Sequence, residues 1–219
     1  MKFLNLFGKF LISVGVGVLL FVAWTLWGTG IYTAQQQDRL SDQFERLPPF
    51  SAQATEIEGI SYHGPPNFYR PGPGNPVFRL EIPRIDLSSM VVEGVGTEDL
   101  RKGPGHYPSC RSAFTRPYCT EFEEAWPGEK GRVIVSGHRT TYGHPFFDLD
   151  KLRVGDEIVT ETRWGTFTYE VTKKEIVRPD SLAIAIQSDA AEIVLTTCNP
   201  KYSAAQRLIV FGELVESQV

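Results

Sequence analysis

Nothing in the 219 residues reads as a basic block, and aromatic and basic side chains are nowhere interleaved. Without that electrostatic footprint, nucleic acid is not an expected partner. No His, Cys, Asp and Glu residues are grouped as metal ligands are, so neither a metal nor another cofactor is expected. Internal repeats are absent. Cysteine is scarce, at three residues, and an odd count leaves one thiol to account for. Charge is missing altogether from residues 10–37, and that absence is informative in itself.

Residues 10–32 are mostly Leu, Val, Ile, Phe, Trp and Gly. A helix needs about 20 apolar residues to cross the hydrocarbon core. Trp24, Trp27 and Tyr32 gather at the distal end, as an aromatic belt would. Lys2 and Lys9 precede the run and Asp38 follows it. The positive-inside rule then puts the N-terminus in the cytoplasm and the rest outside. A cleaved signal peptide fits less well, because the run exceeds a usual signal core and no A-x-A site follows. The expected layout is a cytoplasmic tail over residues 1–9 and a single-pass transmembrane signal anchor over 10–34, in contact with membrane lipid.

Beyond residue 34 the balance is 20 Lys+Arg against 26 Asp+Glu, which does not suit the external part to an anionic lipid surface. Residues 35–76 read as an extracellular linker. Helix can continue to about Leu47 before Pro48 and Pro49 end it. The Pro/Gly-rich residues 64–76 read as a stiff spacer, with Phe68 and Tyr69 able to anchor it along a surface.

From Val77 to the C-terminus, residues 77–219, the pattern turns to short strands at 77–82, 89–93, 133–135, 156–161, 166–171, 192–197 and 207–215. Residues 173–177 are a further strand or a continuation. Trp164 and Gly165 mark a hairpin. Helices are short, at 97–102, 145–152 and 179–186. About eight close-spaced strands predict an all-β domain, an eight-stranded closed β-barrel, with closure inferred from strand number.

Cys110 and Cys119 are nine apart in a loop-like stretch, a span easily closed by a disulfide, which leaves Cys198 unpaired. The competing readings are a buried structural Cys198, or Cys110 and Cys119 both reduced. Cys198 ends an apolar run, Ile193-Val194-Leu195-Thr196-Thr197-Cys198, that Asn199-Pro200 terminates. Arg207 opens the next strand, and Val133-Ile134-Val135 runs into Ser136-Gly137-His138-Arg139. Thiol, imidazole and guanidinium at strand ends are the parts of cysteine nucleophilic catalysis. A histidine can take the thiol proton and return it to a leaving amine. An arginine fork suits an oxyanion or a substrate carbonyl. His138 is the best placed base, His144 is its rival, His106 lies in a loop and His63 in the linker. Taken singly, each residue has a plainer reading: a small core thiol, a locally bonded imidazole, a solvated edge charge.

The run Leu195-Thr196-Thr197-Cys198-Asn199-Pro200, with Arg207 downstream, resembles the signature of sortases. Ser136-Gly137-His138-Arg139-Thr140-Thr141-Tyr142-Gly143-His144-Pro145-Phe146 resembles their histidine motif. More narrowly the chain is similar to the class E, actinobacterial housekeeping subgroup, which Gly105-His106-Tyr107-Pro108 and Pro200-Lys201-Tyr202-Ser203 also fit. The resemblance covers residues 77–215 and implies a sortase-type β-barrel. It implies a membrane-anchored transpeptidase in a Gram-positive type envelope. Such an enzyme cleaves an LAXTG- or LPXTG-like sorting signal between Thr and Gly through a thioester. It then joins the surface protein to a peptidoglycan peptide amine. By the same resemblance Cys198 is the nucleophile, His138 the acid and base, and Arg207 the holder of substrate backbone and oxyanion. Thr197 contributes a hydrogen bond there, while Tyr107 and Tyr142 read the second signal position. Residues 109–126 depart from the pattern as an insertion, and the linker lacks the acidic-aromatic lid of pilin-polymerising sortases. Two other readings are an exported Cys-His cell-wall hydrolase and a non-catalytic anchored barrel that binds peptide.

Overall fold

A computed structural model of the chain describes residues 2–181 and 186–219. The uncharged N-terminal run is helical. Helix α1 (Lys2–Ala23) passes through a π-helical turn (Trp24–Gly28) into α2 (Thr29–Arg46). Phe3–Ala23 is long and apolar enough to cross a membrane, and none of its most apolar window is buried. Residues 29–34, expected inside the apolar span, instead begin the part of the helix that packs on the folded domain: Thr33 is 5% exposed. On α2, Leu40 and Phe44 pack against Met90 and Val92. Leu47, extended ahead of Pro48 as a residue before proline must be, ends the helix.

The barrel comprises β3 (Pro76–Ile82), β4 (Leu87–Glu93), β5 (Gly105–His106), β6 (Gly131–Ser136), β7 (Glu157–Glu161), β8 (Thr166–Val177), β9 (Ala191–Asn199) and β10 (Gln206–Gln218). It closes in the order β10-β8-β7-β3-β4-β5-β6-β9. Two pairs are parallel, β4 with β5 and β6 with β9. The closed all-β architecture is the one expected. Residues 166–177 form one strand along β10 across a register shift, rather than two. Residues 97–102 supply a helix of one turn, α3 (Thr97–Leu100), and residues 145–152 supply turns and the 3-10 helix Leu149–Lys151. The helix expected at 179–186 falls largely outside the described residues.

The stretch read as a linker is folded. β1 (Gln53–Ile57) and β2 (Ile60–Gly64) form a hairpin whose two-residue turn, Glu58-Gly59, has positive φ at both positions. Tyr69, not Phe68, is the anchor. It is 8% exposed, against 75% for Phe68, and its ring stands edge-on to Trp126 and Trp164.

Inside the barrel Phe78, Leu80, Val133, Val135, Phe167, Ile193, Leu195 and Val210 share one core. Truncating such a side chain to Ala costs about 2–5 kcal/mol through lost burial and the cavity left behind. The alternate residues of β6, β9 and β10, namely Ile134, Val194, Ile209 and Phe211, form a second apolar cluster. Side chains alternate faces along a strand, so this second cluster lies on the barrel's outer wall. That is why these three strands read as unbroken apolar runs.

Candidate active site

Register brings the chemical groups together. Across β6, β9 and β10 the partners are Ile134–Val194–Phe211, then Ser136–Thr196–Ile209. Cys198 pairs with Arg207 as the next row. His138 follows Ser136 by two residues, just past the end of β6, the strand that pairs with β9. The three residues therefore stand at the ends of three adjacent strands. Beside Arg207 is a cleft of about 440 Å³ lined by Tyr107, Tyr118, Ser136, Thr196, Arg207 and Ile209, among others.

Each strand end is held. Gly137 donates its N–H to Thr196 O at 3.1 Å, and Thr197 Oγ1 donates to Gly137 O at 2.8 Å. The Thr197 hydroxyl is thus a staple between the strand carrying the thiol and the one leading to the imidazole. A Cβ on Gly137 would sit 2.6 Å from the Phe146 ring, so only glycine lets the loop close over that core residue. Arg139, 4% exposed, donates through Nη1 to Cys198 O at 3.2 Å and to Asn199 Oδ1 at 3.0 Å. Its Nη2 pairs with Asp150 at 2.8 Å. This buried guanidinium fixes the backbone of the thiol residue.

Cys198 is a half-buried free thiol, and Cys110 and Cys119 are joined in a disulfide. His138 Nε2 is buried and has no hydrogen-bond partner among the described residues. An orphaned ring nitrogen costs about 1–3 kcal/mol, so this one marks His138 as a candidate functional group. Burial lowers the His138 pKa, and the Arg101 cation lowers it further, so the neutral imidazole is favoured. The His138 ring lies 5.1 Å from that of Tyr142, tilted by 35°. Arg207 gives Nη1 to Ala204 O and Gln206 O, each at 3.1 Å, and has no carboxylate partner among the described residues. Arg207 also lines the cleft. A thiol, a neutral base and a free donor fork at the end of a groove can carry out acyl transfer.

The other expected residues divide. Tyr107 lines the cleft and gives its hydroxyl to Pro117 O of the insertion at 2.7 Å. Tyr142 lines a different cavity, with Thr29, Tyr32 and Arg101. His144 is exposed, with its ring 5.3 Å from Phe147. His106 is in a strand rather than a loop, and is 1% exposed. Its Nδ1 donates to Glu93 Oε2 at 2.8 Å and its Nε2 to Ala125 O at 3.1 Å. With Glu93 as a carboxylate both partners accept, an arrangement that favours the protonated ring. Arg111 adds bonds to Glu93 at 2.9 Å and to Glu124 at 2.6 Å. This buried row of alternating charges bolts the insertion to the barrel. Arg139 and Arg101 were missed as site residues. Arg139 adjoins the histidine motif, which is a signal; Arg101 offers none.

Comparison with known proteins agrees. Residues 80–215, more than half of the chain, match the family model of the sortase domain. Sortase D of Bacillus subtilis is 34% identical over 67% of this chain and 68% of its own length. Sortase SrtE1 of Streptomyces coelicolor is 27% identical over 96% of this chain and 57% of its own length. Among solved structures, sortase E1 of S. coelicolor with a tripeptide in its active site superposes with a TM-score of 0.57 at 28% identity, covering 68% of this chain and 93% of that one. Sortase E of Streptomyces avermitilis gives 0.54 at 33% identity, with coverage of 68% and 93%.

Proposed function

Because this chain belongs to the sortase family and is a cysteine transpeptidase, we propose that it cleaves an LAXTG- or LPXTG-like sorting signal between Thr and Gly and transfers the protein to a cell-wall peptide amine. In this reading α1 anchors the enzyme in the membrane, with its N-terminus cytoplasmic and its barrel outside. The observation that supports it is the pairing of Cys198 with Arg207 at the ends of β9 and β10, with Arg207 in the wall of a cleft and His138 just past the end of β6.

Cys198, as thiolate, attacks the threonine carbonyl carbon, and the resulting oxyanion is met by Arg207. The C–N bond to glycine breaks as the imidazolium of His138 gives its proton to the departing amine, leaving a thioester. An incoming amine attacks that thioester, His138 takes the amine proton, and the C–S bond breaks to restore the thiolate. A lowered His138 pKa makes the imidazolium scarce but strongly acidic, which suits protonation of a poor leaving group. A minor thiolate–imidazolium population suffices for this chemistry. Tyr107, which lines the cleft, is the proposed reader of the second signal position rather than Tyr142, and Thr197 holds Cys198 at its station.

The test uses the full chain in detergent micelles with an LAXTG peptide, with and without a glycine-type amine or hydroxylamine. Amine-dependent product that disappears in Cys198→Ala supports transpeptidation. Hydrolysis indifferent to amine identifies a hydrolase, and no turnover by either protein identifies a peptide binder.

A further inference from the structure

Helix α2 reaches both groups that surround His138. Thr29 Oγ1 accepts the Tyr142 N–H at 3.1 Å, and Tyr142 is the residue stacked on the His138 ring. One turn later Thr33 Oγ1 donates to Arg101 O at 2.8 Å, and the Arg101 guanidinium lies 5.5 Å over the Tyr142 ring. The histidine loop needs holding. Tyr142, Gly143 and His144 have φ of 51, 71 and 40° in succession. For the two non-glycine residues that left-handed backbone costs about 1–2 kcal/mol each.

The approach of helix to loop is built in. A Cβ on Gly30 would lie 3.9 Å from Gly143 N, and a Cβ on Gly143 would meet Thr33 Cγ2 at 3.1 Å. Further along, Gln37 locks the helix to the barrel edge. Its Oε1 accepts from Met90 N at 2.7 Å, and its Nε2 donates to Met90 O at 3.0 Å and Lys102 O at 2.8 Å. At 1.5 Å of rise per residue, Thr29 stands only about 9 Å beyond Ala23, the last residue of α1.

We propose that Thr29 and Thr33, on the helix that leaves the apolar span, are positioning residues for the reaction. They hold the Tyr142 loop and Arg101, and through them aim His138 at Cys198, so full turnover requires α2 to be docked. A pull or tilt of the membrane span would then reach the base directly. Arg101, just past α3, is the charged group that acts on His138, and Tyr142 from its own loop lies against the ring.

This inference rests on the transpeptidase reading of Cys198 and His138, so one readout must be independent of any peptide. The full chain in micelles supplies it: Cys198 is the one free cysteine, and its alkylation by iodoacetamide against pH reports its coupling to His138. Wild type, Thr29→Val, Thr33→Val, Thr29→Ser, Leu40→Ala and His138→Ala are compared, with kcat and KM on the LAXTG peptide and thermal unfolding in parallel. Thr29→Val is expected to lower kcat about tenfold with KM little changed, since small misplacements of a catalytic group are expensive. It should also move the alkylation profile toward that of His138→Ala. Thr29→Ser, which restores the acceptor, should recover both. Leu40→Ala, which loosens the packing of α2 on the sheet without touching the loop, should lower stability and shift the profile in the same direction as Thr29→Val, by less. A wild-type kcat and profile in both valine variants, with His138→Ala altered, overturns the positioning role alone. A His138→Ala profile identical to wild type overturns the transpeptidase reading and this inference with it.

Discussion

His106 lies in β5 and His138 just past the end of the adjacent β6, yet their surroundings drive them in opposite directions. His106 is sealed between a carboxylate and a carbonyl. Burial by itself would lower its pKa, but the Glu93 charge and hydrogen bond, Glu124 and the Ala125 carbonyl together outweigh that and hold it above the usual value. His138 is less buried, has no carboxylate against it and faces the Arg101 cation, so both influences lower it. A proton that is locked in place makes a structural cation. A proton that comes and goes beside a thiol makes a catalyst. Burial alone does not separate the two roles; the sign of the nearest charge does.

The largest expected break in this contrast is His138→Ala, which should lower kcat/KM on the sorting peptide by about 10²–10⁴-fold while the protein stays folded, as steady-state kinetics and circular dichroism would show. Next in size is His106→Leu. It leaves Glu93 sealed in the core with Arg111 as its remaining partner, and should cost roughly 3 kcal/mol of stability, read from denaturant unfolding. The folded enzyme should keep its kcat. An unstable His138→Ala or an inactive but stable His106→Leu would reverse the assignment.

The pH dependence of stability sharpens it further. The folded-state pKa of His106 is raised, so its protonation-linked contribution is full below the unfolded value near 6.5 and is lost as pH rises through the folded one. The folded-state pKa of His138 is lowered, so protonation favours the unfolded chain, and its contribution is lost as pH falls below about 6.5. Unfolding free energies of wild type minus His106→Gln, and wild type minus His138→Gln, should therefore slope oppositely with pH. Parallel slopes would refute the contrast. The smallest effect belongs to Arg101→Met. Removing that cation should raise the His138 pKa and move the acid limb of kcat/KM upward by less than about one unit; a limb that stays put would leave burial as the whole cause.

The site was legible where chemistry and strand pattern coincide. Cys198 ends an apolar run, Arg207 starts one and His138 follows one, and period-2 alternation already puts Thr196 and Cys198 on the same face. The barrel was legible for the same reason, since β6, β9 and β10 are too apolar to be anything but strands covered on both sides. His106 was not, because a two-residue strand carries no periodicity. The β1–β2 hairpin was hidden by the proline- and glycine-rich stretch that follows it. Tyr69 was named as an anchor, but its depth in an aromatic cluster depends on Trp126 and Trp164, far along the chain.

By itself the sequence determined the apolar N-terminal run, the all-β domain and the identity of thiol, imidazole and guanidinium, because each is written in neighbouring residues. The spacing of Cys110 and Cys119 made their pairing the favoured one, and the structure forms it. Only the tertiary structure decided which histidine keeps its proton, how Arg139 pins the thiol strand, and that the helix beyond the apolar run touches the histidine loop. Thr29 and Tyr142 are 113 residues apart, and Arg139 and Cys198 are 59 apart. No local pattern encodes such pairs, because they exist only once barrel closure brings distant strand ends to one rim.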